Sequence, residues 1–527
     1  MGNYIEYIET CCSSRNQNEV DEGPLSAKEM TASFSKMYDS NNLNKTNINE
    51  SKSKNGPLYL LKDSVLIGKG SGNPTDKYTI DKLIGKGDYS LVYKVTLRSN
   101  GDFRTFKVIE KNNQTFQKTQ ELLQEIELLE AADNPYIVKL YEFYDCPTVI
   151  CLVNEYLNGG NLLDKLQKEK KLNEFTTAII IFQILSALSF CHSKKIIHRN
   201  LTLSNVLINE EKGRLIHVKI IDFNESTKIR KGVELGDSFL NLRYTAPEVL
   251  KGKYNEKRDV WSVGIIMYTL LTGNFPFDNE DVLKLKALIE IGNVDYDNKN
   301  LSKCSSECID LLKELLNRDK NRISANEALN HNWFKKLNIK ERLNEIPYDK
   351  IKSVLDNIVN FKPKTTLQKL CLSYLARNLH DENIQNATHL YCQIDINNDG
   401  EVQENEFVNR LKEIIEKTGE NVDIKYLKKL FKTIDTDKSG IIEYSEFLAA
   451  AINKEKIINE ETLKESFDFF DKGKNGVINL NDLKVVFKKF KGFSINEFKS
   501  IVDDVDLDEN KEINFDEYKN MMLNMLD

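Results

Sequence analysis

An acidic loop flanked by helical patterns occurs four times in the C-terminal part of the chain, and this repeat restricts the possible fold more than any other feature. The loops begin at Asp395, Asp435, Asp471 and Asp506. Repeats of about 35–40 residues are typical of units that stack because one unit alone cannot bury its apolar face. The sequence therefore predicts an α-helical domain of helix–loop–helix units over residues 385–527.

The first two loops have the oxygen pattern of an EF-hand calcium site. Residues 395–406 carry oxygen donors at positions 1, 3 and 5, glycine at 6, an apolar residue at 8 and glutamate at 12, and residues 435–446 repeat the pattern. Calcium takes about six to eight oxygen ligands, and the last glutamate supplies two of them. The predicted ligands, with position 7 acting through its carbonyl, are Asp395, Asn397, Asp399, Glu401, Glu406, Asp435, Asp437, Ser439, Ile441 and Glu446.

The other two loops depart from this pattern. In residues 506–517, Lys511 replaces the glycine and must hold a positive φ, which strains a residue with a side chain. In residues 471–482, Gly473 offers no side-chain oxygen and Asp482 is shorter than the usual glutamate. We therefore predict three calcium sites and leave the third loop open. The ligands predicted in the fourth loop are Asp506, Asp508, Asn510, Glu512 and Glu517.

A different pattern begins at Tyr78, where two β-type runs flank the turn Gly85-x-Gly87. This turn alone is weak support for a phosphate-binding loop, because glycine-rich turns are common. Residues at the expected order and distance follow it, so that residues 78–334 resemble the protein kinase signature. The resemblance rests on Lys107, Glu125, Asn205, Asp222-Phe223, Ala246-Pro247-Glu248, Asp259 and Arg322.

The kinase resemblance implies a nucleotide site. Lys107 and Glu125 look like the ion pair that orients the nucleotide phosphates. Asn205 and Asp222 would be the magnesium ligands, so ATP and magnesium are the implied cofactors. The nucleotide-binding residues implied by the resemblance are Ile84, Gly85, Gly87, Val92, Lys107, Glu125, Asn205 and Asp222.

The catalytic loop departs from the kinase pattern. Asn200 stands at the general-base position and Thr202 at the position of the catalytic-loop lysine. A positioned base contributes about 10²–10⁴-fold, and an electrostatic stabiliser about 10²–10³-fold. Both losses together predict weak or no phosphoryl transfer. Further departures from the family pattern are Ser90, Asn154 at the gatekeeper position, Asn161, Asn224 and Asn241.

Kinase-like region, helical linker and four EF-hands together resemble the calcium-dependent protein kinases of plants and protists. The implied fold class is α+β, a bilobal protein-kinase domain over residues 78–334 followed by a calmodulin-like EF-hand domain over residues 385–527. Residues 335–384 resemble the family's junction, with an amphipathic helix at Ile351, Val354, Leu355 and Ile358. In the family this helix blocks the kinase until calcium pulls it away. The alternative is a linker helix packed on the kinase lobe.

The N-terminal segment, residues 1–77, is polar and predicted to be largely disordered. Gly2 and the pair Cys11-Cys12 suggest lipidation, but Glu6 stands where a hydroxyl residue is required, and an unmodified tail remains an equal alternative. The expected location is cytoplasmic, with membrane contact only if the N-terminus is acylated. A net charge of −7 argues against a nucleic-acid partner.

Three functions remain open from the sequence. The first is a calcium-responsive pseudokinase that binds ATP and acts on an unknown protein partner. The second is a slow but active calcium-activated Ser/Thr kinase with an unknown protein substrate. The third is a calcium-binding scaffold with an inert kinase lobe. Nucleotide binding separates the third from the others, and turnover separates the first two.

Overall fold

The structure is a computed structural model of the whole chain. It describes residues 68–70, 73–87, 90–110, 125–129, 132–146, 149–210, 215–229, 241–252, 254–318, 321–343, 348–378, 382–417, 422–486 and 495–525. Gly2, Cys11 and Cys12, on which the lipidation prediction rests, lie outside these residues.

The N-terminal lobe is built on a six-stranded sheet in the order β1-β5-β6-β4-β3-β2. Five of its strands pair antiparallel, and β1 joins the edge in parallel with β5. Alternation along each strand gives the sheet two faces. The bounds are β1 Gly68–Gly70, β2 Tyr78–Lys86, β3 Ser90–Leu97, β4 Phe103–Glu110, β5 Leu140–Asp145 and β6 Val149–Glu155.

Secondary structure is present before the predicted domain boundary at residue 78. Strand β1 pairs with β5, and the short helix α1, Pro74–Lys77, is capped by Asn73, whose side chain accepts a hydrogen bond from the Thr75 backbone N–H. Residues 68–70 and 73–77 therefore have defined structure within the segment that was predicted to be largely disordered. Asn73 followed by Pro74 is an N-cap signal that indicates a helix start before residue 78.

The C-terminal lobe is mainly helical and surrounds one apolar helix. Helix α3 begins after Asn173, which caps it by accepting from the Thr176 backbone. Within the described residues α3 is the one helix apolar and long enough to cross a membrane, but 83% of that stretch is buried inside the protein. The bounds are α2 Leu162–Glu169, α3 Glu174–Ser193, α4 Lys257–Thr272, α5 Val282–Ile291, α6 Ser306–Leu315, α7 Ala325–Leu329, α8 Asn332–Lys336 and α9 Ile339–Leu343.

Short strands and 3₁₀ turns shape the surface of this lobe that faces the sheet. Strand β8 pairs with β9, and β7 pairs with β10, which brings the segment after Ile197 next to the segment after Ile220. The bounds are β7 Ile196–Ile197, β8 Val206–Asn209, β9 His217–Ile220 and β10 Thr227–Lys228, with 3₁₀ turns at Leu203–Asn205, Leu242–Tyr244, Val249–Lys251 and Leu301–Lys303.

The C-terminal region consists of helices around four loops, as the repeat predicted. The loops pair through two small antiparallel sheets, with Val402 opposite Ile442 and Ile478 opposite Ile513. The bounds are α12 Glu382–Ile394, β11 Val402–Gln403, α13 Glu404–Glu416, α14 Ile424–Ile434, β12 Ile441–Ile442, α15 Tyr444–Ala451, α16 Lys454–Ile457, α17 Glu460–Phe470, β13 Val477–Asn479, α18 Leu480–Val486, α19 Ile495–Asp503, β14 Glu512–Asn514 and α20 Phe515–Leu523.

The junction forms two helices, α10 (Tyr348–Val359) and α11 (Thr366–Asn378). The predicted apolar stripe of α10 is buried in the EF-hand core, where Val354 and Ile358 are fully covered. Helix α11 adds Leu367 and Leu370 to the same core. The alternative of a linker packed on the kinase lobe is therefore wrong for α10, whose partners are EF-hand helices.

The EF-hand region contacts the kinase-like region directly. Asp133 Oδ2 accepts a hydrogen bond from the Ser445 backbone N–H at 2.7 Å, and Arg377 pairs with Asp133 Oδ1 at 3.6 Å. Gly400, in the first calcium loop, lies so close to Phe190 that a Cβ would come within 2.4 Å of the ring. The two regions therefore meet along α3 and the segment preceding β5.

Candidate functional site

Lys107 lies in the cleft between the two lobes and forms two ion pairs there. Its Nζ lies 2.9 Å from Glu125 Oε1 and 2.9 Å from Asp222 Oδ1. Burial alone would lower the pKa of this ammonium, but the two carboxylates raise it above its ordinary value. Lys107 is therefore held charged, with its ammonium fixed between the sheet and the C-terminal lobe.

Asp222 lies in a left-handed backbone conformation, with φ at 69°. Burial acts to raise the pKa of this carboxyl, but Lys107 lowers it below its ordinary value. The other oxygen, Oδ2, accepts a hydrogen bond from the side-chain amide of Asn200 at 3.4 Å. Asn200 thus presents a donor to Asp222, whereas a carboxylate at this position would repel it.

The backbone around Asn200 is anchored by a buried acid. Asp259, 1% exposed, accepts from the backbone N–H groups of His198 and Arg199, both at 2.9 Å. His192 contacts Asp259 Oδ2 through Nε2 at 3.0 Å. These bonds fix the chain immediately before Asn200, so the catalytic loop retains a kinase-like frame despite the changed side chains.

Thr202 is turned into the loop and away from the cleft. Its side chain is 5% exposed and accepts a hydrogen bond from the Asn205 backbone at 3.3 Å, which caps the 3₁₀ turn Leu203–Asn205. A lysine here would carry a cation on a long stem. Thr202 instead supplies local hydrogen bonding and no charge.

Asn205 and Asp222 are suitable magnesium ligands. Asn205 donates its amide N–H to the Asn200 carbonyl at 2.8 Å, which leaves its side-chain oxygen as an acceptor. One carboxylate and one amide oxygen, completed by phosphate oxygens, form the donor set that magnesium prefers. These residues therefore fit the metal that the kinase resemblance implies.

The glycine-rich hairpin joins β2 to β3. Gly85 pairs with Val92 across β2 and β3, and the Gly87 N–H donates to the Ser90 carbonyl at 2.8 Å. Ile84 is exposed at this end of β2. The hairpin has the predicted strands, and its tip at residues 88–89 lies outside the described residues.

Three of the asparagines that depart from the kinase pattern have defined contacts. Asn224 accepts from Lys107 Nζ at 3.2 Å, and Asn161 caps α2 by accepting from the Asp164 backbone at 2.9 Å. Asn241 is exposed and contributes its carbonyl to Tyr244 and Thr245. Of these three asparagines, Asn224 is the one that contacts the charged centre formed by Lys107, Glu125 and Asp222.

In calcium loops two and four, the carboxylates lie close together. In each loop, the acids at positions 1, 3 and 12 place one oxygen each within 4.8 Å of one another. The position-12 carboxylate also accepts backbone N–H bonds, as Glu446 does from Thr436 at 2.7 Å. These two groups are Asp435, Asp437 and Glu446, and Asp506, Asp508 and Glu517.

Lys511 adopts the strained conformation that the sequence analysis predicted for it, with φ at 65°. Its backbone N–H donates to Asp506 Oδ2 at 2.6 Å, as Gly440 does to Asp435 at 3.0 Å in loop two. The fourth loop therefore has the turn geometry of the others and bears the strain of a side chain in it.

The first loop lies against the kinase-like region. Burial, with Asp399 and Glu406 nearby, raises the pKa of Asp395 to about 7, and Asp395 Oδ1 is buried without a hydrogen-bond partner in the described structure. Lys340 donates to the Ile396 carbonyl at 2.7 Å, and Lys194 forms an ion pair with Glu401. Calcium at this loop would therefore act next to the C-terminal lobe.

The third loop closes with a shorter acid. Asp482 Oδ1 accepts from the Gly473 N–H at 2.7 Å, and Oδ2 accepts from the Asn479 N–H at 3.0 Å. Among the described residues, loop three, like loop one, does not form the group of three carboxylates seen in loops two and four. Its geometry is preserved, but its oxygen set is poorer.

Two contact sets were not anticipated from the sequence. Thr105, two residues before Lys107 on β4, donates its hydroxyl to the Glu155 carbonyl at 3.2 Å. The Asp133 contacts join residues more than two hundred positions apart. Alternation along β4 places Thr105 on the same face as Lys107. The position of Thr105 in the cleft could therefore have been predicted from the sequence.

Fold and site define a protein kinase domain joined to paired EF-hands. The protein kinase domain family matches residues 78–334, and the EF-hand domain pair matches residues 384–452 and 460–523. The chain is 32% identical to calcium-dependent protein kinase 4 of Plasmodium falciparum over 460 residues, covering 85% of this chain and 87% of that protein.

Two further relatives cover similar shares. Calcium-dependent protein kinase 5 of Plasmodium falciparum is 32% identical, covering 85% of this chain and 78% of that protein. Calcium-dependent protein kinase 33 of Arabidopsis thaliana is 30% identical, covering 84% of each. The chain belongs to the calcium-dependent protein kinase family, in which EF-hands regulate a kinase domain.

Proposed function

We propose that this chain is a calcium-responsive pseudokinase, which binds ATP with magnesium but transfers its γ-phosphate weakly or not at all. It would signal to a protein partner through calcium-dependent changes of shape. The observation that carries the proposal is the contact between Asn200 and Asp222, in which the general-base position offers an amide donor to the metal ligand.

The catalytic loop supports loss of transfer in two ways. Asn200 carries no charge and accepts no proton at neutral pH, and the buried Thr202 places no cation in the cleft. If the two losses were independent, they would remove about four decades or more of rate. Groups that act together are rarely additive, so the combined loss can be smaller.

Retention of nucleotide is supported by the charged centre. Lys107 is paired with Glu125 and Asp222 as a phosphate-binding lysine would be, and Asn205 and Asp222 offer oxygens for magnesium. Bound magnesium would neutralise phosphate charge. The chain's own contribution is to position the phosphates and keep the cleft lined by fixed polar groups.

Coupling to calcium is supported by the position of the EF-hand loops. Loop one contacts α3 through Gly400 and Phe190, and the end of loop two, where α15 begins, contacts Asp133 through Ser445. A change in loop geometry on calcium binding would therefore act on the kinase-like region without an intermediate segment.

A slow, active calcium-activated Ser/Thr kinase is the second candidate, because the contacts of Lys107 and the frame around Asp259 are those of a working site. Two measurements separate the candidates. Nucleotide binding, followed by displacement of a fluorescent ATP analogue, would fail for an inert lobe. Calcium-stimulated transfer above an Asp222→Ala control would establish the slow kinase and contradict the pseudokinase proposal.

A further inference from the structure

The inner face of the N-terminal sheet continues from Lys107 to a pair of polar residues. On β6, Ile150 and Leu152 point into the main core, and Asn154 follows them with the same two-residue period. On β4, Lys107 lies opposite Leu152 and Thr105 lies opposite Asn154. Phe106 and Val153 belong to the separate core on the other face. Thr105 and Asn154 therefore line the same cleft as Lys107.

Backbone acceptors at this end of the cleft already have a donor. The Thr105 hydroxyl lies 3.2 Å from the Glu155 carbonyl and 3.4 Å from the Asn154 carbonyl. These carbonyls end β6, where the chain leaves the sheet for the C-terminal lobe. Thr105 thus reduces their capacity to accept from a ligand.

The side chain of Asn154, by contrast, offers an acceptor that has no donor. Its Oδ1 is buried and accepts no hydrogen bond within the described structure. A buried acceptor left unpaired is costly, and such groups are normally satisfied by protein, water or ligand. Two residues separate Thr105 from Lys107, which is about 7 Å along a strand. A nucleotide whose phosphates lie at Lys107 can therefore place its base beside Asn154.

The geometry points to Asn154 as the residue that reads the base, with Oδ1 accepting a hydrogen bond from the exocyclic amine of an adenine nucleotide. This inference rests on the proposed nucleotide binding and adds its specificity. In this arrangement a side chain accepts from the amine of the base. Thr105 acts as a positioning residue, because its hydroxyl donates to the neighbouring backbone carbonyls.

The test compares two ligands that differ only in this amine, ATP and purine riboside 5′-triphosphate, by competition against a fluorescent nucleotide on the full chain with magnesium. The native chain is expected to bind ATP about threefold to tenfold more tightly, the range for one net hydrogen bond. Asn154→Leu, which keeps the volume and removes the acceptor, is expected to bind both ligands equally.

Two further variants control the result. Asn154→Asp retains an acceptor oxygen and is expected to keep the preference for ATP. Thr105→Val combined with Asn154→Leu frees the backbone carbonyls and is expected to restore part of the preference. Thermal unfolding without ligand checks that each variant is folded, and Asn154→Leu should unfold at no lower temperature because it removes an unpaired polar atom.

Each outcome decides between the two claims. If the folded Asn154→Leu variant keeps the preference for ATP, the base is read elsewhere and the inference is overturned while nucleotide binding stands. If the folded native chain binds neither ligand, the proposed nucleotide binding fails and this inference fails with it. Equal binding of both ligands by the native chain overturns the inference alone.

Discussion

The side-chain amide of Asn200 lies 3.4 Å from Asp222 Oδ2, and Lys107 Nζ lies 2.9 Å from the other oxygen of the same carboxylate. Asp222 is thus held by a cation on one side and a neutral donor on the other. With aspartate at position 200, two carboxylates would face each other and the cleft would gain a base. The amide of Asn200 therefore determines both the absence of a base at this position and the charge that faces Asp222.

Restoring the two missing groups should restore transfer. Asn200→Asp with Thr202→Lys is expected to raise γ-phosphate transfer by about 10³-fold or more, because it returns a base and a cation. Replacing Thr202 also removes a cap, at about 1 kcal/mol of stability. Transfer is measured with radiolabelled ATP, and the same double variant carrying Asp222→Ala is the control. A double variant that binds ATP and stays silent would show that the segment around Asn224 and Asn241 is also unsuited to catalysis.

Removing the central cation should destabilise the kinase domain. Lys107→Met leaves the 2%-exposed Glu125 without its partner, and breaking a buried pair in this way costs about 3–5 kcal/mol. Both tryptophans, Trp261 and Trp333, lie buried in this domain, so their fluorescence during urea unfolding reports on it. Lys107→Met with Glu125→Gln should recover part of the loss. Equal stability of the single variant and the native chain would argue against a charged, structural pair.

Calcium stoichiometry should follow the carboxylates at position 12. We expect three ions per chain, and one fewer in either Glu446→Gln or Glu517→Gln, because each change removes the bidentate ligand. Asp482→Glu, which lengthens the acid of loop three, should add or tighten a site. Titration calorimetry on the full chain measures all four proteins. Four ions on the native chain, unchanged by Asp482→Glu, would contradict the assignment of loop three as the weakest.

Docking of the EF-hand region should depend on Asp133. This carboxylate accepts from Ser445 and pairs with Arg377, so Asp133→Ala leaves the 5%-exposed Arg377 without that charge partner. Hydrogen bonds to charged groups are worth about 1.5–3 kcal/mol. Hydrogen exchange at residues 444–451 is expected to accelerate in Asp133→Ala. The matched control is Asp310→Ala, whose side chain is 69% exposed. Equal protection in the two variants would show that Asp133 does not hold the interface.

The local elements of both regions could be predicted from the sequence because their signals are local. The predicted ligands of each calcium loop fall within twelve consecutive residues. Lys511 is expected to take a positive φ because its position in the loop requires one. The strands on either side of Gly85 and Gly87 follow from the β-type runs there. Each of these features depends on neighbours along the chain.

The contacts between distant segments could not be predicted in the same way. The stripe of Val354 and Ile358 shows that α10 buries one face, but the stripe has no feature that selects EF-hand helices over the kinase lobe. Asp133 and Ser445 are 312 positions apart, and the pattern of the second calcium loop, which contains Ser445, does not indicate Asp133 as a partner. Gly400 is the glycine at position 6 of the first calcium loop, whereas its close approach to Phe190 depends on how two folded regions pack.

The most direct test of the pseudokinase account is γ-phosphate transfer by the purified full-length chain, with and without calcium, beside Asp222→Ala. Asp222→Ala removes the proposed metal ligand, which Lys107 and Asn200 hold in place, so it defines the background. The account predicts transfer no greater than this background in either condition, together with a calcium-dependent change in mobility or compactness. Calcium-stimulated transfer that disappears in Asp222→Ala would contradict it and establish a slow kinase.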